Sequence, residues 1–189
     1  MKYPVEILKT WNGGLAIHGA ILGGVLWIIY YCRKKKVNFF KITDMVVISL
    51  IIAQAIGRWG NFFNKEAHGI VTTASHLKKL LIPNFIISGM YINGNYYHPT
   101  FLYEMLWNLL GFALLLILRK KCKLKTGTLT GIYFMWYSFI RFFIEALRTD
   151  SLMLSNIRVA RLVSIILFVL GLFLIIYSNY IKKEGKNGK

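Results

Sequence analysis

Tyr137, Arg141, Glu145 and Arg148 fall four, four and three residues apart in the stretch MWYSFIRFFIEALRTD. At 3.6 residues per turn these positions share roughly one quarter of a helix surface. The positions around them are mostly apolar or aromatic. A charge at bilayer depth costs about 2.5 kcal/mol or more, so Arg141 must face protein or a water-filled cavity. One reading is an Arg141–Glu145 pair that neutralises itself and glues helices. Two arginines against one glutamate leave a positive excess, however, and that excess points to an anion site.

A second chemical cluster lies in AIGRWGNFFNKEAHG, residues 55–69, at the end of an apolar run. Arg58 and Asn61 are one turn apart, and Gly57 and Gly60 leave room for a backbone or ligand headgroup beside the arginine. Asn64, Glu66 and Gly69 follow where the helix should end. An interfacial anchor would need one or two polar groups, not this many. A guanidinium is a planar, permanently charged fork that matches a phosphate through two hydrogen bonds, so converging arginines suit a phospholipid headgroup. His18, in WNGGLAIHGAILGG, begins an apolar helix and is expected at the depth of Arg58, where an imidazole takes a proton near neutral pH. His98, Pro99, Tyr103 and Glu104 enter a further apolar run in YYHPTFLYEMLWN, with proline in an ordinary first-turn position.

The elements that position these groups are membrane helices. Of 189 residues, 56% are hydrophobic and 16% charged, and the mean hydropathy is +0.52. That composition is a membrane protein's. A span needs about 20 mainly apolar residues, and five windows qualify: approximately 14–32, 42–63, 100–118, 128–147 and 157–181. The expected fold is therefore an all-α polytopic membrane protein, one domain over residues 1–189. Residues 64–99 are its one long polar connection. There Asn93-Gly94 sits between alternating runs and predicts a hairpin, so the loop should form a small extracytoplasmic cap, with ASHLKKLLIP as a short interfacial helix.

The formal charge of +17 would suggest nucleic acid in a soluble protein. Here fourteen of the 24 basic residues lie in short segments after the first, third and fifth windows. By the positive-inside rule those segments are cytoplasmic, which places the N-terminus and the cap outside and the C-terminus inside. No nucleic-acid partner is expected. Cys32 and Cys122 fall beside basic cytoplasmic loops and read as passive, with no metal-ligand spacing. The N-terminus lacks the apolar core and small-residue cleavage site of a signal peptide.

Taken in order, WNGGLAIHG, GRWGNFFNKEAHG, HPTFLYE and YSFIRFFIEALR resemble the prolipoprotein diacylglyceryl transferases of bacterial inner membranes, over nearly the whole chain. The second motif is the most specific. The resemblance implies transfer of a diacylglyceryl group from phosphatidylglycerol to the lipobox cysteine thiol of a lipoprotein precursor, with glycerol phosphate leaving and a thioether forming. It implies an inner-membrane location and no metal or organic cofactor. By motif match the family's functional residues fall on His18, Arg58, Asn61, Glu66, Gly69, Tyr137, Arg141 and Glu145. Arg58 and Arg141 are expected to stabilise charge on the leaving phosphate, with Arg148 as a further substrate contact. His18 is the first choice of base for the thiol, with Tyr137 or Glu66 as rivals.

The family ordinarily carries a further N-terminal portion with additional spans, so the helices walling one side of the lipid cavity are expected to be missing. Two alternatives to the transferase follow. One is a shortened chain that binds anionic phospholipid without turnover; the other, less favoured, is a small transporter, for which no inverted repeat is found.

Overall fold

The computed structural model describes residues 16–149, 153–154 and 157–181. Its order is α1 (Ala16–Lys35), α2 (Phe39–Phe63), β1 (Val71–Thr72), α3 (Ala74–Lys79), α4 (Asn84–Gly89), β2 (Tyr91–Ile92), β3 (Asn95–Tyr97), α5 (Thr100–Lys121), α6 (Thr128–Leu147), β4 (Met153–Leu154), β5 (Ile157–Arg158) and α7 (Val159–Ile176), which continues as a π-helical turn over Tyr177–Ile181. Among the described residues, a long helix thus occupies most of each of the five apolar windows. Among the described residues, three are long and apolar enough to cross a membrane: Phe39–Phe63, Thr100–Lys121 and Val159–Asn179. The chain is an all-α integral membrane protein in its architecture, with its short strands confined to connections.

Packing divides the chain into two units, Met1–Ile42 and Thr43–Lys189. In the first, α1 ends in Arg33, Lys34 and Lys35, where cations meet the negative end of the helix dipole. Lys34 lies over the Tyr30 ring, and Cys32 is buried as a free thiol.

In the second unit, Val47, Ile48 and Ile51 of α2 pack with Leu115 of α5 and Leu129 and Tyr133 of α6. Asp44 fixes how α2 meets α6: its carboxylate accepts from Gly127 N at 2.6 Å, Thr130 N at 2.8 Å and Thr130 Oγ1 at 2.6 Å. It caps the α6 N-terminus from a neighbouring helix, where no local side chain does so. Trp107 of α5 and Trp136 of α6 each donate an indole N–H to the other's main-chain carbonyl at 3.1 Å, with rings stacked 4.4 Å apart. Gly111 makes this approach possible, because a Cβ there would collide with Trp136 Nε1 and Ile51 Cδ1. Helices α6 and α7 meet through Gly131 and Gly171, where either Cβ would come within 2.7 Å of the other glycine's carbonyl oxygen.

The connection from α2 to α5 folds as a cap. Strands order β1–β3–β2, all antiparallel, and Asn93 and Gly94, both at positive φ, make the two-residue turn between β2 and β3. Thr73 caps α3. Leu77, Ile82, Ile86, Ile87 and Met90 bury together with Phe101 of α5, and Trp59 and Phe62 of α2 pack against them. Phe62 lies 4.8 Å from Phe101 and Trp59 lies 5.4 Å from it, ring centre to ring centre. These contacts pin the end of α2 to the start of α5, one residue from Arg58 and one turn from Glu104.

Candidate lipid-phosphate site

Three helices bring charge to one point at the cap end. Glu104 of α5 is 3% exposed and binds a different arginine with each carboxylate oxygen. Arg58 Nη2 of α2 lies 2.5 Å from Oε2. Arg141 Nη1 of α6 lies 3.4 Å from Oε1. Arg141 also pairs through Nη2 with Glu145 Oε2 at 3.0 Å, one turn along α6, as an ion pair rather than an aligned hydrogen bond. Two guanidinium groups from different helices therefore flank a single carboxylate. Both remain partly accessible, with side chains 18% and 17% exposed.

This arrangement corrects the charge count expected from the sequence. The expected positive excess rested on Arg141, Glu145 and Arg148 of one helix, whereas Glu104 enters from α5 and makes the Arg58–Arg141–Glu104–Glu145 cluster formally neutral. Nor does Arg148 continue the helical stripe. α6 ends at Leu147, and Arg148 takes an extended backbone as its cap. Anion affinity here must therefore come from directed donors: a guanidinium carries five N–H bonds, and the carboxylates occupy few of them.

Toward the bundle interior the cluster has a polar floor. Gln54, one turn before Arg58, donates to Tyr133 OH at 2.9 Å, and Tyr137 stacks over Tyr133 with ring centres 6.1 Å apart. Gln54 Oε1 and Asn108 Oδ1 are buried without a hydrogen-bond partner among the described residues. Leaving such an acceptor unfilled costs about 1–3 kcal/mol, which a bound hydroxyl or water would relieve.

Beyond Arg58 the signature loop makes its own cluster. Asn61 and Asn64 donate to Glu66 Oε1 at 3.2 and 3.3 Å, holding an exposed carboxylate in place. Lys65 and Ala67, both at positive φ, turn the chain on either side of Glu66. Gly69 packs against His98, donating its N–H to the His98 carbonyl at 2.9 Å, and a Cβ there would fall 2.8 Å from the His98 Cβ. Thr100 Oγ1 ties the loop to α5 through the Ala67 carbonyl. His98 Nδ1 meets Tyr103 OH at 3.0 Å. Burial, and secondly the neighbouring His76, push the His98 imidazole below its usual pKa.

Of the expected site residues, Arg58, Arg141 and Glu145 come together directly, and Tyr137 lies one turn from Arg141. Asn61, Glu66 and Gly69 form the adjoining loop. His18 falls within α1, but its side chain lies outside the described residues. The central residue that the site expectations omitted is Glu104. It was legible as a carboxylate inside an apolar window, by the argument that singles out Arg141.

Comparisons with known proteins point the same way. The sequence pattern of the family described as prolipoprotein diacylglyceryl transferase matches residues 1–177. The phosphatidylglycerol--prolipoprotein diacylglyceryl transferase of Listeria innocua serovar 6a is 57% identical over 91% of this chain and 62% of its own length. The enzyme of the same name from Staphylococcus aureus strain MSSA476 is 56% identical over 94% of this chain and 63% of its own length. The chain thus spans rather less than two thirds of the relatives it matches.

Proposed function

Since the chain belongs to the prolipoprotein diacylglyceryl transferase family, we propose that it moves the diacylglyceryl group of phosphatidylglycerol onto the lipobox cysteine of a lipoprotein precursor. The cysteine sulfur forms a bond to the glyceryl carbon, the bond from that carbon to the phosphate oxygen breaks, glycerol phosphate leaves, and the thiol proton passes to a base. The observation that carries this reading is the convergence of Arg58 and Arg141, from α2 and α6, on one carboxylate. Guanidinium groups held that close turn their remaining donors onto a phosphate as negative charge grows on its oxygens.

In this mechanism Glu104 is a positioning residue that holds both forks at a fixed separation, and Glu145 steadies Arg141. Asn61 and Asn64 aim the Glu66 carboxylate for the hydroxyls of the lipid headgroup, while Gly69 keeps the loop low over α5. Arg148 adds a cation at the same end. His18 is the proposed base, with Tyr137 and Glu66 as the competing assignments. No metal or organic cofactor takes part. The protein works in the bacterial inner membrane with its cap outside and its C-terminus in the cytoplasm, the orientation its basic segments favour.

Purified chain in phosphatidylglycerol vesicles, supplied with a lipobox peptide, should add the mass of a diacylglyceryl group to the peptide. Arg141→Lys should lose most of that activity, because a point charge does not replace a fork. No mass gain from folded wild-type protein would favour lipid binding without turnover, and unchanged turnover in Arg141→Lys would remove that residue from the mechanism.

A further inference from the structure

Leu81 stands where a chain leaving a helix usually places glycine. α3 closes in a Schellman turn: the Leu81 N–H donates to the Lys78 carbonyl at 2.9 Å and the Ile82 N–H to the Leu77 carbonyl at 3.2 Å, while Leu77 and Ile82 bury together in the cap core. This turn demands a left-handed backbone at the residue before Ile82, and Leu81 adopts it at φ 58°. Glycine takes that conformation freely, whereas a side chain resists it. Of the non-glycine residues at positive φ among the described residues, which are Lys36, Lys65, Ala67, Leu81 and Asn93, Leu81 alone is a large apolar one.

Protein packing does not offset that strain. Leu81 is 90% exposed, Leu80 beside it is 47% exposed, and Phe85, in the first turn of α4, is 60% exposed. Lys78 and Lys79, both exposed, precede this tip. In water the left-handed backbone and the bare apolar side chains would both be unfavourable, so the tip calls for an apolar surrounding.

The fold sets the tip beside one. α2 is long and apolar enough to cross a membrane, and at 1.5 Å per residue its 25 residues outrun a hydrocarbon core of about 30 Å by roughly one turn. Its last rings, Trp59 and Phe62, therefore fall at the membrane interface, where aromatic side chains gather. The core formed by α3 and α4 packs on these same rings. Gly89 of α4 lies so close that a Cβ there would fall 2.3 Å from Phe62 Cζ. We infer that Leu80, Leu81 and Phe85 form a wedge that inserts into the leaflet at the cap end, with Lys78 and Lys79 reaching its anionic headgroups. Insertion fixes the height of the cap, and with it the signature loop, over that leaflet. The wedge is separate from the arginine cluster and stands whether or not the chain turns over substrate.

Spin labelling of the full chain in mixed phosphatidylglycerol and phosphatidylcholine vesicles tests it, with Cys32→Ala and Cys122→Ala removing the native thiols. A nitroxide at Leu81→Cys, or separately at Phe85→Cys, should collide several-fold more often with oxygen, which concentrates in lipid, than with a water-soluble nickel chelate. Both labels replace exposed side chains and leave the cap core in place. Adding Lys78→Gln and Lys79→Gln should lower the ratio as the tip rises toward water, and an unchanged ratio would overturn the part given to the lysines. More frequent collision with the chelate at both positions would overturn the wedge. So would collision with neither agent, the result that a covering protein or a second copy of the chain would give.

Discussion

Glu104 decides how the arginines of this protein behave. A buried carboxylate shared by two guanidinium groups is stabilising mainly in the sense that removing one partner is costly: the remaining charges lose their counter-ion in a medium that solvates them poorly. Glu104→Gln should therefore lower stability by about 3–5 kcal/mol, the usual cost of breaking a buried pair. It should also cut transferase turnover by about a hundredfold or more, through misplaced forks. Thermal denaturation and the peptide mass assay read the two effects separately. A variant as stable and as active as wild type would show that Glu104 sets neither the forks nor the charge balance. The residue types of this site were visible in the sequence, because any arginine or glutamate inside an apolar window demands a partner. Which partner it finds was not. Spacing pairs Arg141 with Glu145 on one helix, but only the crossing of α2, α5 and α6 brings Glu104 between Arg58 and Arg141.

At the scale of elements, the cap is held on α5 by short-range contacts around His98. Its main-chain N–H donates to the Ile70 carbonyl at 3.1 Å, and its carbonyl accepts from Gly69 N at 2.9 Å. Because the folded cap keeps the His98 pKa below its free value of 6.5, the fold favours the neutral ring. The contribution is complete above pH 6.5 and is lost as pH falls through the lowered value. Hydrogen exchange at Gly69 and His98 should accordingly quicken on acidification below that window, and His98→Asn should flatten the dependence. An exchange rate that follows only the chemical pH trend in wild type would contradict this. The cap's Asn93-Gly94 turn was legible because a type I′ turn needs positive φ at two successive residues. The in-trans cap by Asp44 was not, since no local pattern shows that an α2 aspartate meets the first turn of α6. The place of Arg148 was not legible either: three residues after Glu145 suits the helical stripe, but α6 ends at Leu147, as its apolar window does, and the backbone turns extended at Arg148.

For the whole molecule, hydrophobicity alone located the helices, since their windows are set by bilayer thickness. The uneven distribution of lysine and arginine is the basis of the orientation proposed above. Cys122, exposed just after the basic end of α5, is the reporter for that assignment. A membrane-impermeant maleimide should fail to label it in intact cells and label it after lysis. Labelling in intact cells would invert the topology and put the arginine cluster on the cytoplasmic side, away from any exported precursor. That cluster is also where the central claim is tested most directly. In bilayers of phosphatidylglycerol, solid-state NMR between lipid phosphorus and guanidinium nitrogen should show one phosphate in contact with Arg58 and Arg141 together, at hydrogen-bonded N···O separations of about 2.7–2.9 Å. Arg58→Gln and Arg141→Gln should each remove part of the signal, and Glu104→Gln should weaken both contacts. A signal that survives intact when both arginines are replaced would contradict the account.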